Sequence, residues 1–205
     1  MSQIDLLQLP NHNPILGIPG LINRLFNPKG LSASTTTDRA SIESQGEFVK
    51  GINFNGKAIT IEGNSWLSYS DALASGLSIP GAIYTESSLK PQPRADRDTK
   101  SMLSTVVCKG QRLEIIQTIP NGTYEVYLWI VENHESDYHS IDVSLGGQIV
   151  ARGIGKLPVN NWAKYGPYRT TVTDGALHLA LDTNTPERDA HLMGMAIFKP
   201  NSTEG

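Results

Sequence analysis

A chain of 205 residues with 17 basic and 20 acidic side chains carries a formal charge of −3, and at that length it can bury a core without disulfides or a metal. Apolar residues make up 39%, and the 19 glycines and 12 prolines suit many short strands joined by turns rather than helices. No basic patch stands out, since even Lys90 to Lys100 is broken by Asp96 and Asp98, which argues against a nucleic-acid partner.

The single cysteine, Cys108, excludes an intrachain disulfide, and its neighbours Val106 and Val107 predict a buried, inert thiol. No apolar run reaches the length that spans a bilayer. The first ten residues do not resemble a secretion signal, because they lack a basic start and Asp5 and Gln8 interrupt the apolar stretch.

Along the chain, residues 1–45 read as an arm or linker, with Pro10, Pro14 and Pro19 and the polar tract Ser32 to Ser44. Within it, Pro19 opens a predicted short helix whose Leu21, Ile22, Leu25 and Phe26 share one apolar face. That face packs either on the domain's own surface or on a partner. Residues 46–200 form the predicted β-domain, and 201–205 a tail.

The strand from Phe48 to Phe54 is expected to turn at Asn55-Gly56 and pair with Ala58 to Ile61, since Asn-Gly is the preferred hairpin dipeptide. Ser68 to Ser101 is the main irregular stretch, with one short helix predicted at Ser70 to Ser75, Ser70 being its N-cap and Gly76 its stop. From Thr123 to Val131 apolar residues occupy both parities, the pattern of a central strand covered on both faces. A hairpin pairs Ile141, Val143 and Leu145 with Ile149 and Ala151 across Gly146-Gly147, leaving Asp142 and Ser144 on a wet side. A further hairpin is predicted from Tyr168 to Val172, through Asp174-Gly175, to Leu177, Leu179 and Leu181. The last strand, Leu192 to Phe198, carries small residues at Gly194 and Ala196 and large ones at Met193, Met195 and Ile197, so one face admits a closely approaching layer. The sum is an all-β jelly-roll β-sandwich of antiparallel sheets with an extended N-terminal arm.

Enzyme signatures are missing: there is no nucleophile elbow, phosphate loop or zincin helix motif, and Gly153-Ile154-Gly155 reads as a turn. The segment Glu132 to His139 is the densest in polar chemistry. On a strand, however, His134 and His139 would point to opposite faces, which argues against their joint metal ligation. Glu132 and Asp189 are the candidate carboxylate pair for glycoside hydrolysis, a reading that a sandwich without a deep cleft disfavours. No cofactor is expected; Asp96 and Asp98 are the oxygens available to a structural calcium, against a solvated loop as the plainer reading. Recognition chemistry suits the chain better. A sugar offers C–H patches to an aromatic ring and hydroxyls to Asp, Asn, Glu and His, and one stack of ~60 Å² contributes ~1.5 kcal/mol. Trp66, Tyr69, Tyr84, Tyr138, Trp162, Tyr165 and Tyr168 are the aromatics outside the strand cores.

The segments Val49-Lys50-Gly51-Ile52-Asn53-Phe54-Asn55-Gly56, Ile83-Tyr84-Thr85-Glu86, Asn121 to Glu132 and Ser140 to Gln148 together resemble malectin and the malectin-like carbohydrate-binding domains over about three quarters of the chain. The resemblance implies a lectin site in the loops at one end of a sandwich, built from aromatics and an aspartate. It places Tyr84 at the family's loop tyrosine, Asn133, His134 and Tyr138 where the family holds loop aromatics, and Asp189 at its aspartate. His134 departs from the family's aromatic pair, and the 84–101 loop is longer. The function expected is non-catalytic glycan binding, outside the cell or on a surface, through Tyr84, Glu132, Asn133, His134, Tyr138 and Asp189. The alternative is a structural or assembly protein, such as a virion, appendage or surface-layer component, that uses the sandwich as a brick and residues 1–45 to dock a partner or another copy.

Overall fold

The computed structural model describes residues 46–201. The arm 1–45 with its helix and docking face, and the tail beyond 201, lie outside the described residues. In chain order the elements are β1 (Glu47–Asn53), β2 (Ile59–Ile61), β3 (Asn64–Trp66), α1 (Tyr69–Ala74), β4 (Leu77–Ser78), β5 (Ile83–Glu86), α2 (Arg97–Leu103), β6 (Thr105–Gly110) and β7 (Arg112–Thr118). The second half holds β8 (Gly122–Val131), β9 (Ile141–Leu145), β10 (Gln148–Ile154), β11 (Trp162–Val172), β12 (Ala176–Thr183), β13 (Asp189–Leu192) and β14 (Gly194–Lys199).

A four-stranded sheet, β1-β14-β8-β11, faces a five-stranded one, β10-β9-β12-β7-β4, with antiparallel pairing throughout. Alternation dictates what fills the gap: Tyr124, Val126, Leu128 and Ile130 of β8 meet Leu177, Leu179 and Leu181 of β12 and Ile141, Val143 and Leu145 of β9 in the main core. The opposite parity of β8 is buried as well. Trp129 and Val131 face a second core with Trp66, Met102, Leu103 and Phe198. The central-strand pattern of 123–131 thus has its explanation in two apolar layers, one on each side of the same strand.

The second layer needs room, and two glycines supply it. A Cβ on Gly51 would lie 2.4 Å from the Trp66 ring, and one on Gly194 would lie 2.3 Å from Met102 Sδ. The small-residue parity noticed near Gly194 is where β3 and α2 press onto the sheet.

Several pairings differ from expectation. Asn55-Gly56 does turn the chain, with Asn55 at φ 57°, but β1 pairs with β14 and β2 with β3. Asp174-Gly175 also turns the chain, yet it carries it from β11 in one sheet to β12 in the other. A turn dipeptide fixes a local reversal; partners are chosen by which apolar faces meet. The predicted last strand is two: β13 joins a small sheet, β13-β6-β5, and the chain breaks at Met193 before β14. Only the Gly146-Gly147 hairpin forms as read, with both glycines at positive φ as its tight turn requires.

Helix α1 starts one residue before the predicted span, capped by Ser68, whose hydroxyl accepts from the Asp71 N–H. Helix α2 was not anticipated within the irregular stretch. Asp96 caps it, accepting from the N–H groups of Asp98 and Thr99 at 2.9 Å and from the Thr99 hydroxyl. An Asp98 oxygen accepts from the Thr60 N–H at 3.0 Å, so both carboxylates named for calcium are bonded to the chain itself. Cys108 is half-buried rather than sealed.

Candidate functional site

At the end of β8 the chain leaves the sheet at Glu132, and residues 132–139 form an irregular loop. Glu132 has no exposed surface. Its carboxylate accepts from the backbone N–H of His134 and of His139, each at 3.0 Å, and from His139 Nδ1 at 3.0 Å. Three donors on one carboxylate fold the loop back on itself. Glu132 therefore organises the rim from beneath instead of facing outward.

His139 is the hinge of the cluster. With Nδ1 taken by Glu132, its Nε2 lies 3.6 Å from Asp189 Oδ1, and its ring stacks on that of His191 with centroids 3.6 Å apart. The two candidate carboxylates thus flank one imidazole. Burial alone would lower the His139 pKa, but the hydrogen bonds to Asp189 and Glu132 outweigh it and raise it. The same His139 contact holds the Asp189 carboxyl down at about 2. His191, 1% exposed, is held well below the ordinary imidazole range by burial, with His139 pushing the same way.

On the outer side, His134 stacks on Tyr138 with centroids 4.0 Å apart, and the Arg188 guanidinium lies 4.4 Å over the Tyr138 ring while donating to the carbonyls of Asp137 and Tyr138. His134 and His139 diverge, one exposed and one buried, on a loop rather than on the strand whose alternation was expected to part them. Asn133 turns aside to donate to the Ser87 hydroxyl at 3.2 Å.

Tyr84 sits elsewhere. In the small sheet, Tyr84 pairs with Val107 and Val107 with Leu192, whereas His191 pairs with Cys108. Directly opposed residues share a face, so Tyr84 occupies the face opposite to Asp189, His191 and Cys108. On that face Tyr84, 40% exposed, accepts a 2.5 Å hydrogen bond from the Tyr69 hydroxyl, with ring centroids 5.1 Å apart. Burial and this bond raise the Tyr69 pKa and keep its phenol protonated. Tyr69 lines an open groove of about 850 Å³ with Asn55, Lys57, Glu86, Arg97 and Lys100, among several serines. The structure therefore gathers Glu132, His134, Tyr138 and Asp189 into one cluster and sets Tyr84 beside a separate groove, with Asn133 and Ser87 bridging toward it.

The sequence matches no family model and no curated protein. Solved structures do match. The extracellular domain of ANXUR2 from Arabidopsis thaliana gives a TM-score of 0.59 at 15% identity, over 76% of this chain and 49% of that one. A chain in the complex of the plant peptide RALF23 with FER and LLG2 gives 0.55 at 21% identity, over 77% and 50%. A β-glucuronidase of Bacteroides uniformis gives 0.60 at 13% identity, over 73% and 18%. The fold is malectin-like.

At these identities the likeness is one of fold, and the chain spans half or less of the length of each of these neighbours. Within the malectin-like sandwich, the loops after β1, at the start of α1 and after β5 meet α2 around the groove. Among the described residues, no helix is long and apolar enough to cross a membrane. Sequence reasoning missed His191, although Asp189-x-His191 on one strand is a same-face spacing that could have exposed it. It also missed the groove's cations, because α2 carries Arg97 and Lys100 in a stretch read as loop.

Proposed function

We propose that this malectin-like domain is a non-catalytic glycan-binding module, extracellular or surface-displayed, whose ligand lies in the groove beside Tyr69 and Tyr84. The observation that carries the reading is the groove's make-up: the Tyr69 ring in its lining with Tyr84 hydrogen-bonded to it just outside, hydroxyls and an amide around it, and Lys57, Arg97 and Lys100 against the single acid Glu86. A ring stacked on the open part of Tyr84 gains ~1.5 kcal/mol from ~60 Å² of burial, and each net hydrogen bond adds about 1 kcal/mol. The surplus of cations favours sugars bearing carboxylate or sulfate. Glu132, His134, Tyr138 and Asp189 support the adjoining rim, and Asn133 ties that rim to the groove through Ser87.

Calorimetry with neutral and acidic oligosaccharides tests this. Acidic ligands should bind more tightly, with a margin that shrinks as salt rises, and Tyr84→Ala should weaken binding about tenfold. Equal, negligible heats for every sugar at millimolar concentration, or full affinity in Tyr84→Ala, would count against the module.

A second reading, assembly or protein docking, is favoured by β5, an outer strand of its sheet with all four residues exposed, Ile83 and Tyr84 among them. Removing residues 1–45 and finding the oligomeric state unchanged would weaken the part of that reading that rests on the arm.

A further inference from the structure

We propose that His139, Asp189 and His191 form a binding site for a divalent transition-metal ion of the zinc(II) type. One ring nitrogen from each histidine and a carboxylate oxygen of Asp189 lie within 4.8 Å of one another. Two imidazoles with one carboxylate is the donor set of borderline divalent ions, and it is too poor in oxygen for calcium.

Three features go beyond proximity. His139 uses Nδ1 to bond Glu132 at 3.0 Å, which leaves Nε2 as the nitrogen that faces Asp189, and an incoming ion would replace the proton that Nε2 now directs at that carboxylate. A carboxylate on the far nitrogen is the arrangement that fixes the tautomer of metal-binding histidines and raises their basicity. Second, His191 Nε2 is buried with no hydrogen-bond partner, one of two such side-chain atoms among the described residues; an unpartnered ring nitrogen costs free energy that a metal bond would relieve. Third, the separation of 3.6 Å between His139 Nε2 and Asp189 Oδ1 is close to the edge of about 3.3 Å that bonds of about 2.0 Å make in a tetrahedral zinc site.

The surroundings agree. Neither Glu132 nor Asp189 is paired with a lysine or arginine among the described residues, so the pocket holds two carboxylates and no fixed cation. Asp189 keeps 35% of its side chain exposed, which gives an ion a way in and leaves a fourth position open to water. A bound ion would clamp β13 to the 132–139 loop, adding to the bonds made there by the side chains of His139 and, just ahead of β13, Arg188.

Zinc(II) and cobalt(II) titrated into the 205-residue chain, after chelator treatment, test the site. One equivalent should bind, cobalt should give the visible bands of a tetrahedral ion, and zinc should raise the thermal midpoint. Asp189→Asn, which keeps shape, should weaken zinc at least tenfold, and His191→Phe, which keeps the stack on His139, should abolish the cobalt bands. His178→Ala, which removes an exposed histidine paired with Asp174, should change neither. No zinc-dependent shift in the folded wild-type chain, or equal binding in Asp189→Asn and His191→Phe with both folded by circular dichroism, overturns the proposal. Glycan calorimetry on the same variants reads the groove separately, so failure of one site leaves the other standing.

Discussion

Gly51 shows how one missing carbon shapes this molecule. The Trp66 ring rests on its Cα so closely that a methyl group would overlap Cγ, Cδ1 and Cδ2 at 2.4–2.5 Å, and Trp66 is wedged edge-on against Trp129 at 5.0 Å. A rigid indole held on two sides has nowhere to go. Gly51→Ala is expected to lose about 1–3 kcal/mol of stability, the range for overpacked cores, measured by the urea midpoint at constant slope. Nothing in the run Val49-Lys50-Gly51 announces this, because the ring that needs the space arrives from fifteen residues away. At the same scale, the roles of Glu132 and His139 depend on the loop's path: as a strand the pair would have been ordinary alternating residues, and only the departure from the sheet at Glu132 turns the carboxylate inward to collect three donors.

Among elements, α2 rests on its cap. Asp96 accepts from two N–H groups and a hydroxyl at the first turn, and the Thr99 hydrogen bonds hold its pKa below the ordinary aspartate value despite some desolvation. A depressed carboxyl contributes stability above its unfolded pKa of about 3.9 and loses it as pH falls through the folded value. Asp96→Ala should therefore cost about 1 kcal/mol at neutral pH, and its gap to the wild type should close as the pH drops below about 4. Asp96→Asn should cost less, since asparagine caps as well. Denaturant melts across pH check both. Strand identity was readable where one element contained its own answer: β8 by apolar residues on both parities, and β9 with β10 by a diglycine turn between alternating runs. It was unreadable where partners are remote, as β1 finds β14 across the whole domain.

For the whole molecule, the distinguishing feature is a central strand, β8, covered by an apolar layer on each side. Leu128 and Trp129 are neighbours in β8, yet one belongs to the core between the sheets and the other to the core under β3 and α2. If both layers are close-packed, Leu128→Ala should cost about 2–5 kcal/mol and Trp129→Ala about 3–5 kcal/mol. A small loss for Trp129→Ala by thermal or denaturant unfolding would mean that the outer layer is loose. That layer also matters to the groove, because α2 is both its cover and the bearer of Arg97 and Lys100.

The sequence by itself determined the class of this protein. Alternating apolar runs, turn residues between them and sparse helix signals leave an antiparallel sandwich as the arrangement that buries those faces, and the local segments carry the malectin-like resemblance. The tertiary structure alone decided which strands pair, which side of the small sheet each polar side chain takes, and that His191 meets His139 while Tyr84 meets Tyr69. The reason is physical. Alternation and turns act over a few residues and are written locally, whereas a site is made of side chains brought from distant segments, and their meeting depends on register, where a slip of one residue sends each of them to the opposite face.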